Sequence, residues 1–246
     1  MRNLIVGLAW LSPFVPIVLW PHTRIYGFVI MAALHALWLY PTLAANVQWF
    51  GPVVTHFATD AREIWLTIDD GPTDDTPQLL ELLATRSTRA TFFLKGVLAQ
   101  RRPDLVQAIV AAGHSIGNHS YSHPSGAFWC LPPSWIEEEI DRCNAVIGDV
   151  RHFRAPVGMK NPAVHPALTA RGMRLIGWSV RGFDTVTEDP ERVAARIAPQ
   201  IHPGAIVVMH QGLPHAARCI ERVIDDVQRA GYGFIIPADA RLKTNR

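Results

Sequence analysis

The chain has 246 residues, room for one or two domains and a sizeable buried core. Its 23 Lys and Arg stand against 21 Asp and Glu, a formal charge of +2, which argues against a nucleic-acid-binding surface because such binding rests mainly on neutralising phosphates. Three cysteines without a C-x-x-C pair exclude a disulfide framework and a cysteine-rich zinc module.

The charges are unevenly placed. Between Asn3 and Thr59 the only charged side chain is Arg24, and every acidic residue lies at Asp60 or later. The positive mean hydropathy of +0.12 therefore comes largely from the N-terminal region. That region holds two apolar runs, Leu4 to Trp20 and Ile25 to Ala45, separated by Pro21-His22-Thr23-Arg24. A helix crosses a bilayer with about 20 apolar residues, in a range of about 17–25. Both runs fit, so residues 1–45 are expected to form a two-helix membrane anchor in the cell membrane, with Trp20, Tyr26, Trp38, Tyr40 and Trp49 near the interfaces. Pro13 and Pro16 weaken the first run as a regular helix. A cleavable signal peptide accounts for Arg2 and the first run, but not for the second. A single anchor and a buried helical hairpin are the alternatives. The flanking cations do not decide the orientation, and the unpaired cysteines lean toward a cytoplasmic domain. Residues 46–61, with Gly51 and Pro52, read as a connector into a domain spanning 62–246.

From Ile64 onward short β-rich runs alternate with helical ones. Strands are predicted at Ile64–Ile68, Ala90–Leu94, Ser115–Gly117, His152–Arg154, Arg174–Val180, Ala205–Met209 and Gly233–Ile236. Helices are predicted near Thr76–Ala84, Pro103–Ala112, Ser134–Ile147, Ala163–Arg171, Pro190–Ile201 and His215–Ala230. Proline opens two of these helices, and glycine follows three, at Gly113, Gly172 and Gly231. Such alternation means an α/β domain with about seven mainly parallel strands, either an open sheet or a small imperfect barrel. No G-x-G-x-x-G follows the first strand, so a dinucleotide fold is unsupported. Chemistry is expected where the strands end at their C-termini.

Unusual polar residues fall at those ends. The first strand runs into Thr67-Ile68-Asp69-Asp70-Gly71-Pro72, and neighbouring strand residues point opposite ways, so the two carboxylates can serve a metal and a substrate separately. The third leads to His119-Ser120-Tyr121-Ser122-His123, a pair of imidazoles four apart that share a face if the segment is helical. With Asp70 they make a three-ligand set that leaves positions open for water and substrate. The fourth strand ends at Arg154-Ala155-Pro156-Val157-Gly158, whose guanidinium can hold a carboxylate with two donors. Asp184 follows the fifth, and Val208-Met209-His210 closes the sixth. Taken singly, these motifs also read as turns, capping groups and hydrogen-bonded core residues.

Taken together, T-I-D-D-G-P, H-S-x-x-H, R-x-P-x-G, Asp184 and V-M-H resemble the polysaccharide deacetylase family, carbohydrate esterase family 4, over about Ile64 to Pro237. The resemblance implies a distorted (β/α) barrel. It implies Asp69 as catalytic base, Asp70, His119 and His123 as metal ligands, and Arg154 as the group orienting the base. It further implies His210 as general acid and Asp184 as its support, with a divalent cofactor, zinc above all. The implied function is removal of N-acetyl groups from a sugar of an envelope polysaccharide or lipid-linked glycan. Alternatives are a deformylase or other amidohydrolase on a glycolipid, and a non-catalytic glycan-binding membrane protein. Expected partners are the glycan and the lipid bilayer, with no nucleic acid. The sequence departs from the family pattern at Ile68, where phenylalanine is usual, and at Gly158, where an aromatic is common. Arg181 and Thr185 replace the first aspartate and the tryptophan of a frequent D-x-x-D-W. These departures bear on the sugar groove and leave the metal set and base intact.

Overall fold

The computed structural model describes residues 1–19 and 24–244. The N-terminal region begins with α1 (Arg2–Leu11), α2 (Phe14–Leu19) and α3 (Arg24–Leu43). The first apolar run is thus not one helix. It breaks at Ser12-Pro13, where proline supplies no backbone N–H and the Ser12 hydroxyl turns back to the Ala9 carbonyl at 2.8 Å. At about 1.5 Å per residue, neither α1 nor α2 reaches across a bilayer. Ile25–Leu43 is the one stretch among the described residues long and apolar enough to cross. The expected two-helix crossing is therefore corrected to a single candidate span. Trp20, Pro21, His22 and Thr23 of the expected turn lie outside the described residues.

The remainder runs β1 (Val54–Phe57), β2 (Glu63–Gly71), α4 (Thr76–Thr85), β3 (Ala90–Leu94), α5 (Gly96–Arg101), α6 (Pro103–Ala111), β4 (Ser115–Asn118) and α7 (Pro133–Ile147). It continues through β5 (His152–Phe153), α8 (Val164–Ala170), β6 (Arg174–Leu175), β7 (Val180–Arg181), α9 (Pro190–Ile197), β8 (Ile206–His210), α10 (Ala216–Arg229), β9 (Gly233–Phe234) and β10 (Leu242–Thr244). Local chemistry explains several starts. Proline occupies the first turn of α6, α7 and α9, and the Asp189 carboxylate caps α9 by accepting the Glu191 N–H at 3.0 Å.

Seven parallel strands form one curled sheet in the order β6-β5-β4-β3-β2-β8-β7, and β9 pairs with the start of β2. This curl fits a distorted barrel. β2 is central and buried along most of its length, which is why its sequence is apolar rather than alternating. Ile64, Leu66 and Ile68 face the helices in the main core, whereas Trp65 packs inside the curl with Phe93 and Ile206. Period two then puts Thr67 and Asp69 on the inner side with Trp65. α10 buries Ala216, Cys219, Ile220, Val223, Ile224 and Val227, the spacing of one helical face.

The expected strand Arg174–Val180 is two strands on opposite edges of the sheet. β6 pairs with β5, and β7 pairs with β8. Between them Gly177 gives its N–H to Val54 of β1 at 2.8 Å, so β1 spans the gap, bridging to Ile176 on one side and to Ala205 on the other. β1 and β10 form an antiparallel ribbon at this end.

Candidate active site

β2 lies between β3 and β8, and its register sets Asp69 beside both Phe93 and His210. The central residues of the site are therefore placed by sheet pairing, not by loops. At the strand end Asp70 takes φ 77° and the pairing with β3 slips, so the next carboxylate swings away from its neighbour. Gly71 follows because any Cβ there would sit 1.7 Å from the Gln211 amide.

The Asp69 carboxylate is buried and its Oδ1 accepts from Arg154 Nη1 at 2.7 Å. Arg154 is itself 1% exposed, and each of its three guanidinium nitrogens donates at least one hydrogen bond. It also donates to Thr67 Oγ1 at 2.8 Å, the Gly177 carbonyl at 2.9 Å and the Ile176 carbonyl at 3.3 Å. A buried ion pair is tolerated when its remaining donors are satisfied in this way. Asp69 Oδ2 stays on the open side, 3.9 Å from His119 Nε2 and 4.0 Å from His210 Nε2.

His119 leaves the end of β4, but the segment to His123 is not helical. Ser120 and His123 both have positive φ, and the turn, not an i, i+4 helical face, brings the two rings to 4.7 Å. Asn118 holds it, donating to Ile140 O and Asn144 Oδ1 while accepting the Ser120 N–H, and Glu139 grips both polar groups of Ser122. His119 Nδ1 lies 2.8 Å from the Arg154 carbonyl, which can only accept, so Nδ1 carries the proton and Nε2 presents a lone pair. Nε2 of His119 is 3.7 Å and Nε2 of His123 is 3.5 Å from Asp70 Oδ1. One donor atom from each of the three residues falls within 4.8 Å of the others.

The electrostatics favour this donor set. Burial lowers both imidazole pKa values, that of His123 to about 3, so both rings are neutral near pH 7. Burial works to raise the Asp70 pKa, but His119, Lys95 and His123 together hold it below the usual 3.8. Two neutral imidazoles and one carboxylate suit a zinc-like divalent ion with positions left open. Lys95, which sequence reasoning missed, places its ammonium 2.8 Å from Asp70 Oδ1. The contact is an ion pair off hydrogen-bond alignment, since that buried oxygen has no aligned donor.

Across the site Asp184, also buried, lies 3.0 Å from His210 Nδ1 and accepts the His210 backbone N–H at 2.7 Å. Burial opposes an imidazolium here, but the Asp184 hydrogen bond and charge, helped by Asp69 and Asp70, raise the His210 pKa above 6.5.

Of the seven site residues expected from the sequence, all but the buried Asp184 and Arg154 line one cavity of about 150 Å³, whose walls include Val157, Gly158, Trp178, Arg181 and Thr185. Gly158 has φ 75°, and a Cβ there would fall 2.6 Å from Ala45 and 2.7 Å from Trp178, so the end of the N-terminal apolar segment packs directly on the cavity wall. Asn46 reinforces this by donating to the Trp178 carbonyl at 2.7 Å. A larger cavity of about 510 Å³ lies between α1, α3 and the 129–133 loop, but it carries no comparable cluster of titratable groups.

Comparison with known proteins agrees with this geometry. Residues 57–176 match the family model described as polysaccharide deacetylase. The chain is 31% identical over 185 residues to a chitooligosaccharide deacetylase of Bradyrhizobium sp. (strain ANU 289), covering 72% of this chain and 84% of that protein. A family 4 carbohydrate esterase from Streptomyces lividans, solved with acetate, superposes with a TM-score of 0.68 at 26% identity, covering 77% of this chain and 100% of that one. The activity-restored mutant of a Bacillus anthracis pseudoenzyme of the same esterase family superposes with a TM-score of 0.67 at 30% identity, covering 73% and 67%. The fold thus occurs with and without activity, and the side chains in the cavity must carry the functional argument.

Proposed function

The chain belongs to the polysaccharide deacetylase family, carbohydrate esterase family 4, and from that premise we propose that it is a divalent-metal-dependent N-deacetylase of an N-acetylated sugar in an envelope polysaccharide or lipid-linked glycan. The observation that carries the reading is the meeting, in one cavity, of the Asp70, His119 and His123 donor atoms with an Arg154-held carboxylate and an Asp184-held imidazole.

Asp70, His119 and His123 would hold the ion, zinc by its donor set, and when bound it polarises the amide carbonyl and acidifies a water. Asp69, with Oδ1 fixed by Arg154, receives the proton of the attacking water on Oδ2. His210, oriented through Nδ1 by Asp184, delivers a proton from Nε2 to the departing nitrogen, without which the amine is a poor leaving group. The 4.0 Å between Asp69 Oδ2 and His210 Nε2 suits a base and an acid acting on opposite bonds of one carbon. Water adds to the amide carbon, the C–N bond breaks, and acetate and a free amine leave.

The Ile25–Leu43 helix serves in this reading as a membrane anchor. Its C-terminal end runs through Ala45 and Asn46 onto the cavity wall, which favours a glycan held close to the bilayer, and the three free cysteines lean toward a domain on the cytoplasmic side. Acetate release by the full chain in detergent, with and without a chelator, tests the activity. Formate without acetate would make it a deformylase, and no release in the metal-loaded protein would leave only binding. A C-terminal topology reporter tests the side; a periplasmic signal would remove cytoplasmic precursors from consideration.

A further inference from the structure

Arg181 stands in the cavity wall at the end of β7, in the same small space as Asp69, Asp70, His119, His123 and His210. Its guanidinium carbon lies 4.4 Å from the Phe183 ring centroid and 5.6 Å from that of Trp178. Stacking of this kind uses the flat faces of the group and leaves its N–H edge free for a planar acceptor. Among the described residues no carboxylate lies within ion-pair distance of it, whereas every other charge in the site is matched. Asp69 faces Arg154, Asp70 faces Lys95, and Asp184 faces His210. The backbone beneath it is pinned, since Gln200 donates to the Arg181 carbonyl at 3.2 Å and Arg196 to that of Gly182 at 3.3 Å. Set over two rings and without a counter-charge among the described residues, this half-buried guanidinium can receive an anion that enters the cavity.

We infer that Arg181 reads a negatively charged oxygen group, a carboxylate or a phosphate, on the substrate beside the N-acetyl group that is removed. This deepens the deacetylase reading and rests on it. It makes the preferred substrate an acidic glycan, not a neutral polymer of N-acetylglucosamine.

Three substrates of equal length separate the possibilities. One is a neutral N-acetylated chitooligosaccharide, one carries an ether-linked carboxylate on the neighbouring unit, and one carries a glycosidic phosphate. The full chain in detergent is expected to favour one anionic substrate in kcat/KM by about 10- to 100-fold, the span of a single charge-assisted hydrogen-bonded pair. The preference should lie mainly in KM and shrink at high salt, and the arm that shows it identifies the source of the charge. Arg181→Gln should bring the ratio close to one, while Arg181→Lys should retain part of it, which a purely structural stack would not do. Equal kcat/KM for all three substrates, or a preference that survives in Arg181→Gln, overturns the inference and leaves the deacetylase reading standing. Should none of the three release acetate, the activity assignment fails, and calorimetric binding of the same compounds to the full chain still decides. Tighter anion binding that Arg181→Gln abolishes upholds the role of Arg181, and equal binding refutes it.

Discussion

Asp184 holds His210 at two points, the ring nitrogen Nδ1 at 3.0 Å and the backbone N–H at 2.7 Å, and so aims Nε2 at the Asp69 carboxylate. The pair raises the pKa of His210 against the effect of burial. Stabilisation from this contact is complete below pH 6.5 and is lost as pH rises through the elevated folded value. In the proposed role of proton donor His210 works only while charged, so activity should fall along the same limb. In Asp184→Asn that alkaline limb of kcat/KM should move to lower pH, with kcat down by about 10²-fold. A pH–rate profile with an unmoved limb would remove His210 as the acid.

Breaking the Asp69–Arg154 pair from either side should cost stability as well as turnover. Asp69→Asn keeps an acceptor for Arg154 Nη1 but strips the buried guanidinium of its counter-charge, so its cost in unfolding free energy is expected at about 3–5 kcal/mol, while turnover falls by about 10²- to 10⁴-fold. Arg154→Met leaves the Asp69 carboxylate uncompensated in a buried site, at a cost of about 3–5 kcal/mol. Denaturant melts and acetate assays on the two variants check both losses. A cost of only about 1 kcal/mol in both variants would show that the pair is not the buried bridge described.

Lys95 Nζ lies 2.8 Å from Asp70 Oδ1, where it would compete with a divalent ion for that oxygen. Lys95→Met should therefore tighten zinc binding by about tenfold, whereas His119→Ala should weaken it at least as much. Titration against a coloured chelator gives both numbers. Weaker binding in Lys95→Met would mean that the ammonium organises the carboxylate and does not oppose the ion.

Much of the site was legible because strand order and strand ends are local signals. The apolar run into Asp69-Asp70-Gly71-Pro72 and the run into His210 describe two neighbouring strands, and their register joins the residues without further information. Lys95 gave no such signal, since a lysine after β3 looks like any solvent-facing strand end until the fold turns it toward Asp70. The histidine pair was found by spacing, yet the helical face invoked for it is absent; left-handed residues at Ser120 and His123 do the work. Periodicity likewise merged β6 and β7, because the crossing at Gly177 depends on a partner, Val54, more than a hundred residues earlier. In the first apolar run, composition suggested a span, and the break at Ser12-Pro13 decided otherwise.

Lys160 ties α3 to the active-site loop. It is fully buried, with Nζ 2.8 Å from both the Ala44 and Ala45 carbonyls, and its own N–H reaches Thr42 O at 3.1 Å. An ammonium at a helix C-terminus satisfies carbonyls that the helix leaves open. Lys160→Met should cost about 1–3 kcal/mol, raise amide exchange over residues 42–46, and raise KM more than it lowers kcat, because Ala45 supports the wall at Gly158. Burial lowers the Lys160 pKa to about 8 from 10.5. Between those values the unfolded chain binds a proton that the native one has released, so this lysine's contribution to stability should increase with pH across that window. The stability difference between the wild-type chain and Lys160→Met, measured from pH 7 to pH 10, checks the sign. A difference that stays flat would place the ammonium in contact with water and undo its role as the clasp between helix and wall.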